Sequence, residues 1–459
     1  EQLVAWGWRA TDGEPFWLPG MVSTIWWLAG GVFVFLIARR LADPDAGVVA
    51  AAFYLLLPFG VAAGRSFQPD PLMTMLILAA AWVMMVYDDR GSWPRLVLAA
   101  VLAGGAVMVK PMAIFAVTMA FAGLNIQRHG LLGGLLNRKL AVFGTIAVIA
   151  PVVYYWRQIA GSAQESPSSF LPGLLIQGTF WKGWLAQIEV TTGTVACILG
   201  LVGLWLIPRR RPIGILTGLW IGYALHALFF TYQTHTHDYY HLQLVPIVAL
   251  GIGPIGSAVI ERIRRHWEAG QTRLFRHWLP LLTPVVVLLA VTLGRPILWR
   301  VHRHPGFDRK VAVAQAVGER VGHSVNTIFL APTYGRPLLY HGRISGQWWP
   351  SSGDLAGQKI LGREDIGASA RLAEMRANQA VDYFIVTDLD DLAKQPELKA
   401  ILDTTPILDR TDDYIIYDLR RAEASEPVRA PAQAPASAPD VETTSRPSES
   451  PATTTQPSN

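Results

Sequence analysis

The sequence predicts a polytopic α-helical membrane protein of about ten helices with a small α/β domain near its C-terminus, and three observations predict it. Charged residues make up 16% of the 459-residue chain, against roughly 25% in soluble proteins. The deficit is local: residues 1–294 hold 20 Lys/Arg and 13 Asp/Glu, whereas residues 295–459 hold 19 and 21. Long apolar runs recur through the first part and end with it. The net charge of +5 therefore belongs to a hydrophobic region and not to a basic surface of the kind that binds nucleic acid, so membrane lipids and no nucleic acid are the expected surroundings. A single cysteine, Cys197, inside an apolar run excludes a disulfide framework and any Cys-based metal site.

A segment inside lipid must satisfy every backbone polar group within itself, so it is helical and needs about 17–25 apolar residues. Ten segments qualify, some of them short or broken by Gly or Pro: residues 17–38, 46–63, 71–87, 95–109, 111–125, 140–158, 193–207, 213–230, 242–260 and 279–294. Their orientation follows from Lys and Arg, which cytoplasmic loops retain. The loops after the first, third, fifth, seventh and ninth segments carry fifteen of these residues, the opposite side five. The first set is therefore cytoplasmic, in the cell membrane, and residues 1–15 lie outside with no signal-like region before them. An outside start at Glu1 implies at least one earlier helix.

After residue 294 the pattern changes. Asp308–Val321 has helical apolar spacing, Thr327–Ala331 reads as a buried strand, Ala368–Gln379 as a helix, Val381–Thr387 as a strand, and Ile407–Leu419 contains a hairpin signal at Arg410–Asp413. Residues 295–421 are expected to form an extracytoplasmic α/β domain. Residues 422–459 are Pro, Ala, Ser and Thr with almost no large apolar side chain, too few to offset ordering entropy, and read as a disordered tail.

The informative polar residues gather on the outer side. Arg65-Ser66-Phe67-Gln68-Pro69-Asp70-Pro71 fixes Asp70 between two prolines at a helix mouth, where an N-cap is the plain alternative to chemistry. Lys110-Pro111 separates two apolar segments, and a lysine there must snorkel or meet an anion such as phosphate. Thr231–His241 is densest, with His235, His237 and His241 beside Tyr232, Tyr239 and Tyr240. Such a set can bind the phosphate or sugar of a lipid-linked substrate. It can equally be interfacial aromatic belt, or supply a His235/His237 metal pair. No metal ligand set and no certain cofactor emerge, and a divalent cation stays open. Residues 161–192 read as an interfacial helix or lid. Trp348 and Trp349 can stack on sugar or simply form core.

These motifs resemble, in order, the GT-C glycosyltransferases of the family that includes the protein O-mannosyltransferases and the bacterial aminoarabinose transferases. The matching elements are Gly13-Glu14-Pro15, Ala38-Arg39-Arg40-Leu41, Arg65 with Pro69-Asp70-Pro71, Ala103-Gly104-Gly105 through Lys110-Pro111, and His237 with Tyr239-Tyr240 leading to Pro246. The resemblance implies sugar transfer from a polyprenyl-phosphate donor to an extracytoplasmic glycan, lipid or protein acceptor, with inversion. It makes Asp70 a catalytic candidate, and Arg65, Lys110, His235, His237, Tyr239, Tyr240 and His241 substrate-binding candidates. It also implies an N-terminally truncated chain, because the family's principal acidic motif follows a helix expected upstream of Glu1. Asp12 and Glu14 sit late in that loop, and Trp17-Leu18-Pro19 stands where the family carries a Lys or His beside proline. The competing class is a transporter or lipid flippase, which would show repeated halves and midplane breaks. No such repeat is visible. A membrane anchor presenting residues 295–420 as a binding domain is the third reading.

Overall fold

The computed structural model describes residues 2–11, 13, 15, 17–161, 170–268, 306–360 and 364–420. The expected helix at 279–294, Asp12, Glu14 and the tail lie outside the described residues. The chain divides into two compact units, Glu1–His304 and Pro305–Asn459.

The first unit is helical: α1 (Gln2–Ala10), α2 (Trp17–Leu41), α3 (Pro44–Leu56), α4 (Pro58–Arg65), α5 (Asp70–Arg90), α6 (Trp93–Val109), α7 (Ala113–Leu135), α8 (Arg138–Gly161), α9 (Gly178–Thr191), α10 (Thr194–Val202), α11 (Ile213–Phe229), α12 (Thr231–Thr236) and α13 (Leu244–Glu268). Among the described residues, four helices are long and apolar enough to span a membrane, or six spans if each bent pair counts as one. The predicted span at 46–63 is such a pair, α3 and α4 meeting at 60°. Pro58 lacks the N–H that would continue the ladder, and Leu57 before it turns extended, with ψ 122°. The segment at 193–207 is the second half of another, bent by 86° from α9 where Gly193 takes φ +81°. The α9 arm occupies much of the stretch expected to form an interfacial helix. The helices α6 and α11 fall short at 17 residues each, and α7 runs past the predicted end, breaking at Gly130.

Two features of this bundle position the site. The first is a hairpin. At 21 residues, α5 rises about 31 Å, the thickness of a hydrocarbon core. Gly91 then ends it in the left-handed region at φ +61°, and Ser92 and the Pro94 ring start α6 back in the opposite direction. The second is close packing of α7 on α11. On α11, Gly214, Gly218 and Gly222 recur every fourth residue, and a Cβ on Gly222 would lie 2.6 Å from the Phe115 carbonyl oxygen. Lipid tails are as apolar as Leu side chains, so membrane helices gain from close backbone approach rather than from hydrophobic burial. The far end of the bundle is clasped by ion pairs Arg40–Asp89, Arg128–Asp88 and Arg264–Asp45.

The second unit comprises α14 (Phe307–Arg320), β1 (Thr327–Leu330), α15 (Arg336–Tyr340), β2 (Gly346–Trp348), α16 (Ser352–Ile360), α17 (Gly367–Asn378), β3 (Tyr383–Val386), α18 (Leu389–Ala393), α19 (Pro396–Asp403), β4 (Ile407–Arg410) and β5 (Ile415–Asp418). The sheet order is β2-β1-β3-β5-β4, with β1 parallel to both β2 and β3, and β3 and β4 antiparallel to β5. Alternation splits the core across the sheet: Ile328, Leu330, Phe384 and Val386 face one cluster, Phe329, Ile385 and Ile416 the other. The two tryptophans part accordingly. Trp349 is core, its Nε1 donating to Gln395 Oε1 at 2.9 Å, while Trp348 is 45% exposed.

Replacing Gly218 with Leu is expected to cost about 1–3 kcal/mol by overpacking α11 on α7, read as a lower Tm of the purified protein in detergent. Gly105→Ala is the control, since its Cβ would meet nothing nearer than 3.6 Å. Equal Tm for the two variants would show that close backbone approach does not hold α7 on α11.

Candidate functional site

The α5–α6 hairpin returns the chain to its starting end, and Asp70 and Lys110 meet there. Asp70 is the first residue of α5, after Pro69 at the N-cap position. Lys110 Nζ donates to Asp70 Oδ1 at 2.8 Å, with the carboxylate side chain 2% exposed and the lysine side chain 17%. Lys110 can reach it because the residue has left the helix, at φ −154° and ψ 120°, before Pro111. A buried carboxylate or ammonium alone is strongly disfavoured, so each requires the other.

The lysine has further partners. Its Nζ lies 4.4 Å from the ring centroid of Tyr240 and 4.8 Å from that of Tyr239, the geometry of a cation–π contact. Both tyrosines sit on a 3-10 turn at Asp238–His241. His237 precedes it in extended conformation, half-buried, its ring 5.4 Å from Tyr239 and 6.1 Å from Tyr240. Asp70, Lys110, His237, Tyr239 and Tyr240 thus form one cluster from three separate stretches of chain.

The remaining predicted residues lie elsewhere. Arg65, at the end of α4, is exposed and has no ion pair among the described residues. His235 Nδ1 donates to the Thr231 carbonyl at 2.8 Å, and its ring packs on Phe180 and Tyr232. The contact brings α12 so close to α9 that a Cβ on Gly183 would lie 2.8 Å from the His235 carbonyl oxygen. His241 is fully buried with both ring nitrogens engaged. Trp184 Nε1 donates to Tyr223 Oη at 3.0 Å, Tyr223 Oη donates to His241 Nδ1 at 2.7 Å, and His241 Nε2 donates to the Thr234 carbonyl at 2.8 Å. This chain of donors is complete with a neutral imidazole. His235 and His241 therefore fix the turn that carries Tyr239 and Tyr240 rather than facing a ligand. Among the described residues no group of three His, Cys, Asp or Glu is placed to hold a metal.

One residue of the cluster has no motif around it in the sequence. His226, on α11, is fully buried and stacked on Tyr240 at 6.0 Å and 8° between planes. Gln243 Nε2 donates to His226 Nδ1 at 3.0 Å, leaving Nε2 as a buried donor with no hydrogen-bond partner among the described residues. A signal was present: His226 is the one ionisable group between residues 213 and 230 apart from Tyr223, and ionisable groups inside membrane segments are expensive enough to mark function.

A helical membrane bundle with an α/β unit following it in sequence is a fold found among solved structures. ArnT from Cupriavidus metallidurans shares it. Its apo structure matches with a TM-score of 0.53 and 13% identity, over 90% of this chain and 85% of that one. Its structure bound to undecaprenyl phosphate matches with a TM-score of 0.53 and 15% identity over the same shares. Residues 11–156 match the family model of dolichyl-phosphate-mannose-protein mannosyltransferases. The matched stretch contains Asp70 and Lys110. No curated protein matches the sequence.

Removing one partner of the buried pair is expected to cost more than removing both. Lys110→Met should destabilise by about 3–5 kcal/mol, and adding Asp70→Asn should restore a large part of it. A double-mutant cycle on thermal or denaturant unfolding measures this, and additive losses would mean that the pair is not coupled.

Proposed function

We propose that the membrane unit transfers a sugar from a polyprenyl-phosphate donor to an extracytoplasmic glycan, lipid or protein acceptor with inversion at the anomeric carbon. The observation that carries this reading is the Lys110 ammonium, held by Asp70 and bracketed by Tyr239 and Tyr240 at one end of an apolar bundle. An ammonium has three N–H donors. Asp70 takes one, and the others can meet phosphate oxygens.

The chemistry follows from what must be stabilised. The acceptor oxygen or nitrogen attacks the anomeric carbon, the bond from that carbon to the phosphate oxygen breaks, and the phosphate leaves with the electron pair. Lys110 offsets the charge that grows on the leaving phosphate. The tyrosine hydroxyls and His237 are further donors for phosphate or sugar. Asp70 orients the acceptor and receives its proton through the oxygen that Lys110 does not hold. Drawing Lys110 toward phosphate loosens its grip on Asp70, so donor binding makes the carboxylate a better base. The match of ArnT, one of whose structures holds undecaprenyl phosphate, agrees with this choice of donor. A cavity of about 550 Å³, lined by Met108, Ile149, Ala150, Val153, Tyr154 and Arg157, is apolar enough for isoprenoid carbons, and Met108 lies two residues before Lys110 in sequence. The outer placement of this end rests on the loop lysines and arginines, fifteen against five, and the same reading takes the C-terminal unit to be outside.

Binding and transfer separate the roles. Undecaprenyl phosphate should bind the protein in nanodiscs, and Lys110→Ala should weaken that binding about tenfold or more. Asp70→Asn should leave lipid binding within about threefold while reducing sugar transfer from polyprenyl-linked donor in membranes by at least about 100-fold. Unchanged transfer in both variants would overturn the assignment.

A further inference from the structure

The C-terminal unit has a cavity of its own. It lies at the carboxyl ends of β1 and β3, adjacent parallel strands. Their chains leave to opposite faces of the sheet. After β1 the chain enters α15, whose Leu338 joins Phe329 and Ile385 on one face, and after β3 it enters α18, whose Leu392 joins Phe384 and Val386 on the other. A crevice opens where neighbouring connections part in this way, and it is where open α/β sheets bind ligands. Here the crevice has a volume of about 270 Å³, and both strand ends reach it, through Pro332 and Thr333 after β1 and Thr387 after β3.

Two further observations concern the same wall. Thr333 and Tyr334 are both left-handed, at φ +54° and φ +56°, in a turn where neither is glycine. A β-branched threonine there is a steric outlier, and strain of this kind persists where a site requires the geometry. The rim is also charged in one direction. Arg309 is occupied by both oxygens of Asp413, at 3.0 and 2.9 Å, which neutralises the two. Lys310 lines the same cavity with no ion-pair partner among the described residues. Below the rim, Val313, Pro337 and Leu338 make an apolar floor.

We propose that this crevice binds a single anionic sugar residue, a uronate or sugar phosphate. The floor accepts the C–H face of the ring, the two threonine hydroxyls meet ring hydroxyls, and Lys310 holds the anion. The volume lies under the roughly 300–1,000 Å³ of sites for drug-sized ligands, which favours one sugar ring over an oligosaccharide.

Saturation-transfer NMR on the full chain in nanodiscs tests this, with d-glucuronate and d-mannose 6-phosphate as probes and d-mannose and inorganic phosphate for comparison. At least one anionic sugar should bind, and bind more tightly than either d-mannose or phosphate. Lys310→Gln should weaken it about tenfold with no change in Tm, and Val313→Phe should abolish it. Thr333→Gly should relieve the turn, raising Tm, while weakening binding. Binding of neither anionic sugar, binding matched by d-mannose or by phosphate alone, or binding unaffected by Lys310→Gln would each overturn the proposal.

Discussion

An ammonium and a carboxylate buried together at one end of an apolar bundle constrain everything around them. Lys110 and Asp70 are 40 residues apart in sequence and 2.8 Å apart in space, and the pair holds only if the α5–α6 hairpin closes in register. Sliding α6 by one turn would carry Lys110 about 5 Å away and leave two buried charges uncompensated. The turn at Gly91–Ser92, the length of α5 and the departure of Lys110 from helical geometry are therefore parts of one requirement. So is the 3-10 turn of Tyr239 and Tyr240, which covers the ammonium with ring faces where water would otherwise be needed.

The second layer of the site accounts for the polar groups buried behind it. His235 is tied to Thr231, and His241 to Tyr223 and Thr234, so the turn is anchored from both sides by imidazoles. A neutral ring at His241, whose two nitrogens are both engaged, adds no positive charge near Lys110. His226 follows the same logic, adding a flat surface behind Tyr240 without adding charge.

Much of this was legible in the sequence, for identifiable reasons. The charge deficit and the alternating arginines reflect bulk partition between lipid and water, and the strands at Thr327 and Tyr383 are short, continuous apolar runs bounded by polar turn residues. Asp70 and Lys110 stood out because a charge beside proline at the mouth of an apolar helix is costly unless something meets it. Their contact could be reached by counting about 20 residues out along α5 and 17 back along α6, although nothing in either motif names the other. The division of the histidines could not be read. Three imidazoles in Thr231–His241 look alike until the 3-10 turn points His237 one way and buries His241 the other. Pairs of tryptophans pose the same problem: Trp348 and Trp349 lie on opposite faces of an edge strand's end, so adjacency in sequence means separation in space. The bends at Leu57 and Gly193 were hidden for a different reason, since membrane helices often tolerate Pro and Gly without breaking.

The two ends of α5 show how the bundle separates structural charge from chemical charge. At the far end Asp88 and Asp89 are answered by Arg128 and Arg40, and Asp45 by Arg264. These are guanidinium–carboxylate pairs, planar and directional, whose delocalised charge suits permanent clasps. At the near end the cation is a lysine. Its charge is compact, its three donors rotate about a flexible stem, and its aromatic contacts have no fixed direction. Such a group can exchange one oxygen for another at little geometric cost, which a bidentate arginine cannot. On the proposed function, Lys110 therefore holds Asp70 in a pair that a phosphate can open, whereas the arginines at the other end hold theirs shut. The same helix thus carries a lock at one terminus and a switchable contact at the other, and residue type alone distinguishes them.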